Sequence, residues 1–275
     1  MIRRWMAFGL ATVFAAGCAA GPPSPPSLAY GEQAVTTAAY GFSDTTSVDI
    51  SVMGQSMQLS QHGRAEYDVT FAEDPAGVGV TLAVRTLSAT LNQPMGAPLR
   101  VDESSVRGDL TFALDRVGDA TVLRRPVVAD EASQMVSGLS LAHTFFPALP
   151  GRAALPGESW VDTLDFSGDD GPGSMSESSV LRYTVVGDTV IDGRSLLLID
   201  MEGTTRSAND MELSGMAVSQ ESELEVSGYV LWDLQAGIMF EHFRESAGSG
   251  RVSVPIAPVP LPIRVHSVQR TRLQF

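Results

Sequence analysis

A mainly β fold is predicted: a large curved antiparallel sheet or incomplete barrel with one central helix. Three observations predict it. Beyond residue 30, apolar residues recur at every second position through most of the chain. Turn-forming pairs separate these runs. One stretch near the middle changes to an apolar spacing of three and four.

Val48, Ile50 and Val52 alternate with Ser47, Asp49 and Ser51, as in an antiparallel strand covered on one side. Val78, Val80, Leu82 and Val84 repeat the pattern, and Leu87, Ala89 and Leu91 continue it on the other parity. Leu181, Tyr183 and Val185 follow, then the run around Leu196 to Met201, then Val226, Val230, Trp232 and Leu234. Turn signals lie at Asp74-Pro75-Ala76-Gly77, Gly118-Asp119, Asp192-Gly193 and Gln235-Ala236-Gly237. Asp192-Gly193, set between two apolar runs, is the clearest tight hairpin. Asp130 to Ala148 breaks the rhythm. Met135, Leu139, Ala142 and Phe146 form a helical stripe, with acids in the first turn and Pro147 as its limit. One helix at about 130–146 is expected, packed on the concave face of the sheet.

The helix divides two halves that share a pattern. Val106 to Asp115 and Val226 to Leu234 each read as a strand with an early glycine, followed by an acidic turn and a returning strand, at Val122 to Arg124 and Ile238 to Glu241. The pattern fits an internal duplication, and it equally fits two generic hairpins. Val252 to Val265 interleaves Pro255, Pro258, Pro260 and Pro262 with apolar residues. A loop or edge folded back over the sheet is expected there, leading to a last strand around Arg264 to Phe275.

The N-terminus carries Arg3-Arg4, an apolar run from Trp5 to Ala16, and Ala15-Ala16-Gly17-Cys18. Cys18 is the only cysteine in the chain. The apolar run falls short of the ~20 residues of a spanning helix. This segment resembles the signal of a bacterial lipoprotein, with Ala15 where that family more often has leucine. The resemblance implies cleavage after residue 17, a thioether-linked diacylglycerol on Cys18 and acylation of its new amino group. The membrane then enters as a partner through an anchor rather than a span. It also implies a cell-envelope location, at the outer membrane where the cell has one, because Ala19 rather than aspartate follows Cys18. The expected organisation is a signal at 1–17, a lipidated Pro-rich tether at 18–29 and one β-rich domain at 30–275. The segment GPPSPPS at 21–27 suits an extended spacer.

Composition excludes several function classes. The chain has a net charge of −14 and no lysine. Removing Arg3 and Arg4 with the signal leaves 16 arginines against 32 acids, or −16. Schiff-base lysines, phosphate-loop lysines and Ser-Lys dyads are ruled out, and no nucleic-acid partner is expected of so acidic a chain. His62, His143, His242 and His266 show no metal-ligand spacing, and Glu241 and His242 point to opposite faces of a strand. Asp165 to Glu177 fails the calcium-loop template, with Phe166 and Gly168 where carboxylates belong, and reads as an acidic hairpin connection. There is no Gly-x-Ser-x-Gly elbow. No enzyme activity and no cofactor are expected.

Phe145-Phe146-Pro147-Ala148-Leu149-Pro150, followed by Leu155-Pro156-Gly157-Glu158-Ser159-Trp160, is similar to uncharacterised bacterial lipoproteins of long-stranded β type. Their architecture resembles the half-open barrels of lipoprotein carriers and receptors. The resemblance implies a curved sheet with a helix over its apolar concavity and carries over no functional residue. The expected function is a non-catalytic binding module for a lipid or other hydrophobic ligand. Met135, Leu139, Phe145, Phe146 and Trp160 are the candidate lining residues, and each is also explicable as plain core packing. The alternative is a structural or interaction lipoprotein with an envelope protein partner. A hydrolase requires a Ser-His-carboxylate convergence that only the fold reveals.

Overall fold

A computed structural model describes residues 27–52, 54–94, 96–170, 173–213, 216–255 and 257–275. The signal, Cys18, nearly all of the Pro-rich tether, Gly171-Pro172 of the acidic hairpin and Ile256 lie outside the described residues. The elements in chain order are β1 (Ser27–Leu28), β2 (Thr37–Val52), β3 (Gln55–Asp74), β4 (Gly77–Asn92), β5 (Leu99–Asp102), β6 (Val106–Arg107), β7 (Leu110–Asp115), β8 (Ala120–Arg124) and β9 (Val127–Val128). Then come α1 (Gly138–Thr144), β10 (Arg152–Ala153), β11 (Ser159–Asp170), β12 (Gly173–Ile191), β13 (Arg194–Leu213), β14 (Met216–Asp233), β15 (Ile238–Ser253) and β16 (Leu261–Gln274).

Twelve strands make one antiparallel sheet in the order β11-β12-β13-β14-β15-β16-β2-β3-β4-β7-β8, with β5 paired to β4. The expected curved, incomplete barrel is present. Its last strand returns to its first: β16 pairs β2 from Ile263↔Ile50 to Gln274↔Ala39. The sheet ends at β8 and β11, and the chain between them passes from one edge to the other. α1 lies on that crossing and packs against β7, β8 and β11. The helix sits over the seam and shields part of the two edges, which would otherwise offer unpaired backbone groups there.

Local chemistry explains the turns and bends. Asp192 and Gly193 take φ of 52° and 76°, the left-handed pair that a tight hairpin turn demands. The parity change after Val84 is a β-bulge: Glu66 pairs Thr86 while Tyr67 pairs Val84, leaving Arg85 extra. The bulge keeps both apolar runs of β4 facing inward. Gly228 lets β14 approach β15 closely, since a Cβ there would lie 2.0 Å from the Phe243 carbonyl oxygen. The β7–β8 and β14–β15 turns share a device. Asp115 Oδ1 accepts from the backbone N–H groups of Val117, Gly118 and Asp119, and Asp233 Oδ1 accepts from Gln235 and Ala236.

Two expectations are corrected. The helix is seven residues long rather than spanning 130–146. Residues 129–136 form consecutive turns closed at Ala129 and Ala132. Ser137 then caps α1 by accepting from the Ser140 N–H at 2.9 Å. The inward stripe survives because turns and helix share one buried side. The last strand starts at Leu261, and Pro262 lies inside it, in a strand paired on both sides. Its missing N–H is tolerated there because pairing to β2 starts one residue later, at Ile263. Of the Pro-rich loop, Val252 and Ile263 are buried and Val259 is exposed.

The main core sits where the crossing chain meets the concave face. Phe145 packs edge-on against Tyr40 and Tyr67 at 5.6 and 5.7 Å, and against Phe146 at 4.9 Å. Phe146 reaches Tyr30, Tyr40, Phe71 and Phe112. Each such ring contributes about 1.5–3 kcal/mol by burial, and each edge-to-face pair adds about 0.5–1.5 kcal/mol. The tyrosine hydroxyls find backbone acceptors: Tyr30 donates to Pro147 O and Tyr40 to Met239 O, both at 2.6 Å. A second apolar cluster of Val48, Val218, Val252, Ile263 and Val265 lies farther along the same face. No helix among the described residues is long and apolar enough to cross a membrane. The outward face exposes Asp68, Arg206, Glu221, Glu223, Glu225 and Arg251, whereas a lipid-facing barrel turns apolar residues outward.

Candidate functional site

Between the two apolar clusters the concave face turns polar. On β2 the inward positions run Tyr40, Phe42, Asp44, Thr46, Val48, so Asp44 occupies the apolar parity. Register places Asp44 opposite Gln269 on β16 and Gly63 on β3, and places Gln269 opposite Arg244 on β15. His242 lies one inward position from Arg244, opposite Thr271 and Val230. β11 to β13 add Asp162, Ser179, Glu177 and Thr205.

A cavity of about 150 Å³ lies between this band and the crossing chain. Met135, Val136, Leu141 and Phe145 wall it on one side; Asp44, Gln61, Arg244 and His242 wall it on the other. Tyr67, Leu87 and Ala89 add an apolar corner. A smaller space of about 30 Å³ shares His242, Arg244 and Thr144 and reaches Ser179, His143, Asp119 and Asp162. That volume suits one water molecule.

The charges here are unevenly compensated. Arg244 is nearly buried; it donates to Thr205 Oγ1 at 2.9 Å and lies 3.6 Å from the equally buried Glu177. Asp44 is 7% exposed and has only neutral hydrogen-bond donors. Gln61 Nε2 lies at 3.2 Å, and Thr46 and Ser267 hydroxyls at 3.4 Å, so these bonds are long. Burial pushes the Asp44 carboxyl above its usual range, and the four side-chain donors, Gln269 first, only partly oppose it. Burial likewise depresses His242 to about 4; the Arg244 charge adds to the fall and a hydrogen bond with the Phe145 backbone opposes it. Among the described residues its Nε2 has no hydrogen-bond partner, nor have Ser179 Oγ and Glu177 Oε1. At the seam, burial and then Asp115 raise Asp119, and burial and then Asp119 raise Asp162. Burial lowers His143, whose ring stacks on Phe166 at 4.5 Å.

The five candidate lining residues divide. Met135 and Phe145 line the larger cavity. Phe146 walls the smaller one and otherwise sits in the core. Leu139 packs toward Gly168 of β11. Trp160 stacks on Tyr183 at 5.5 Å and donates to Ala148 O at 3.3 Å. Glu241 and His242 do face opposite ways, but neither is solvated. Glu241 is 2% exposed and is held by Tyr229 at 2.6 Å and by Arg270 at 3.0 and 2.9 Å. His266 bonds Glu245 at 2.8 Å. Among the described residues no three His, Cys, Asp or Glu side chains converge as metal ligands. Asp44, Gln61, Arg244 and Ser179 are the residues that sequence reasoning missed as site members. The one legible signal was a polar side chain on the inward parity of an apolar strand.

No protein-family model matches the chain. No curated protein matches it either. Among solved structures it is similar to the β domain of the Bordetella autotransporter BrkA, with a TM-score of 0.25 and 8% identity. The match covers 88% of this chain and 100% of that one. A likeness at that score carries no argument about this chain's architecture or role.

Proposed function

We propose that this chain is a lipid-anchored envelope protein, held by Cys18, that acts as a non-catalytic binding module with its ligand site in the cavity beneath α1. The observation that carries this reading is one space with two unlike walls. Met135, Val136, Leu141 and Phe145 offer apolar surface to a hydrophobic body, and Asp44, Gln61 and His242 offer polar atoms to orient it. The size narrows the ligand. A space of about 150 Å³ houses one benzene-sized group, so the ligand is a small hydrophobic or amphipathic molecule rather than a full acyl chain. The tether and the outward charges suit a body held in water beside a membrane.

Native mass spectrometry of the full-length protein, taken from its own membrane and extracted with solvent, tests the reading. One small molecule per chain is the expected result. An apo mass that persists after incubation with an envelope extract contradicts it. A second reading, an interaction lipoprotein, draws on the long edge strand β11 and on Val161 and Val180, diagonal neighbours that are 52% and 48% exposed.

A further inference from the structure

The cavity beneath α1 holds a buried carboxylate that has no charged partner among the described residues. Every group that hydrogen-bonds Asp44 is neutral. Two arginines line the cavity: Arg244 is committed to Thr205 and Glu177 on the far side of Gly228, and Arg64, exposed and on the opposite parity of β3 from Gly63, is not among the partners of Asp44. The chain has no lysine to supply a counter-charge. A buried carboxylate left this way is costly, so it calls for a cation or a proton.

A second acceptor faces the same space. His242 is 8% exposed, and its Nε2 lacks a partner. Ser179 Oγ, 2% exposed, is likewise unbonded in the adjoining space that His242 also walls. Opposite these polar atoms stand Phe145, Val136 and Leu141 of the crossing chain, and Tyr67 and Leu87 of the sheet close the corner. Aromatic faces favour a cation, and aliphatic side chains favour a hydrocarbon body.

We propose that the ligand is a small organic cation: an ammonium group directed at Asp44 on an apolar body of about benzene size. An ammonium supplies positive charge where the carboxylate lacks it. Its N–H donors answer an acceptor-rich wall. A charge-assisted bond in so buried a site is stronger than a neutral one. The net charge of −14 favours approach of a cation from solution. The inference rests on the cavity being a ligand site.

Isothermal titration of the full-length protein at pH 7 with benzylamine and with its neutral analogue benzyl alcohol tests it. Benzylamine is expected to bind about tenfold or more tightly than the alcohol, the worth of a hydrogen bond to a charged group. Asp44→Asn is expected to abolish that preference. Equal affinities, or an amine preference that survives in Asp44→Asn, overturn the cation and leave the cavity as a site for neutral ligands. Binding of neither probe overturns the cavity as a ligand site and the cation with it. Should Asp44→Asn fail to fold, Asp44→Ser is read in its place with the same two outcomes.

Discussion

The concave face has two regions that share strands, face and alternation, yet their chemistry differs. Near the β7–β8 and β14–β15 turns it is aromatic: Tyr40, Tyr67, Phe112 and Trp232 are buried against Phe145, Phe146 and Tyr30. A few residues farther along the same strands it is polar, with Asp44, Arg244, Glu177, Ser179 and Thr205. The crossing chain explains the difference. Where its Phe145-Phe146-Pro147 segment presses onto the sheet, apolar contact excludes water and rings fill the space. Beside that plug, a cavity persists and polar groups are kept. One region therefore holds the fold together. The other carries buried polar groups at a cost to stability, as the proposed ligand site requires.

The sharpest way to break this comparison is to empty the aromatic region. Phe146→Ala should cost about 3–5 kcal/mol, read as a lower denaturation midpoint with an unchanged slope. A loss under about 1 kcal/mol would mean that the plug does not organise the core. In the polar region the effect depends on which partner goes. Glu177→Ala leaves the Arg244 guanidinium buried without its carboxylate and should cost about 3 kcal/mol. Replacing both, as Glu177→Leu with Arg244→Met, should recover most of that loss. A double variant as unstable as the single one would show that the pair, rather than the orphaned charge, sustains stability.

The polar region should also make stability depend on pH. The unfolded chain protonates His242 below about 6.5, while the folded chain resists until about 4. Between those values the unfolded state holds more protons, so stability present above 6.5 is lost as pH falls toward 4. The loss is on the order of 3 kcal/mol for a shift of this size. His143, also lowered, acts in the same direction. The raised carboxyls Asp44, Asp119 and Asp162 act in the opposite sense just above their unfolded values, because there the folded state binds more protons. Comparing His242→Gln with the unaltered protein removes these shared contributions. The variant should lose less stability between pH 6.5 and 4, and an identical profile would contradict the assignment. The smallest effects belong to the helix cap and the outer surface. Ser137→Ala should cost about 1 kcal/mol through the lost helix cap. Arg206→Ala should change midpoints little, since its pair with Glu223 is exposed.

Much of the fold was legible from particular residues. Alternation at Val48 to Val52 and Val78 to Leu91 marked strands, and the switch of parity after Val84 has its cause in the bulge at Arg85, which only the pairing reveals. Asp192-Gly193 announced its own turn through the backbone it tolerates. The helix was overextended because turns at 129–136 keep the same side buried as a helix would, and periodicity reports burial rather than hydrogen bonding. Pro262 misled because a proline near a strand's start needs no ladder donor on one side. The candidate site was less legible for a different reason. Whether Asp44 is compensated depends on Ser267 and Gln61, and the former lies 223 residues away. Nothing local to Asp44 says that its partners are all neutral. The candidate lining residues part ways because Met135 and Phe145 line the cavity, whereas Leu139 and Trp160 find strand partners.

The measurement that tests the central claim most directly is NMR chemical-shift mapping of the full-length protein with whichever molecule binds it best. Shifts confined to Asp44, Tyr67, His242 and the methyl groups of Met135, Val136 and Leu141 are predicted. Shifts gathered instead along β11, at Val161 and Val180, would contradict the cavity and make the edge strand the functional surface.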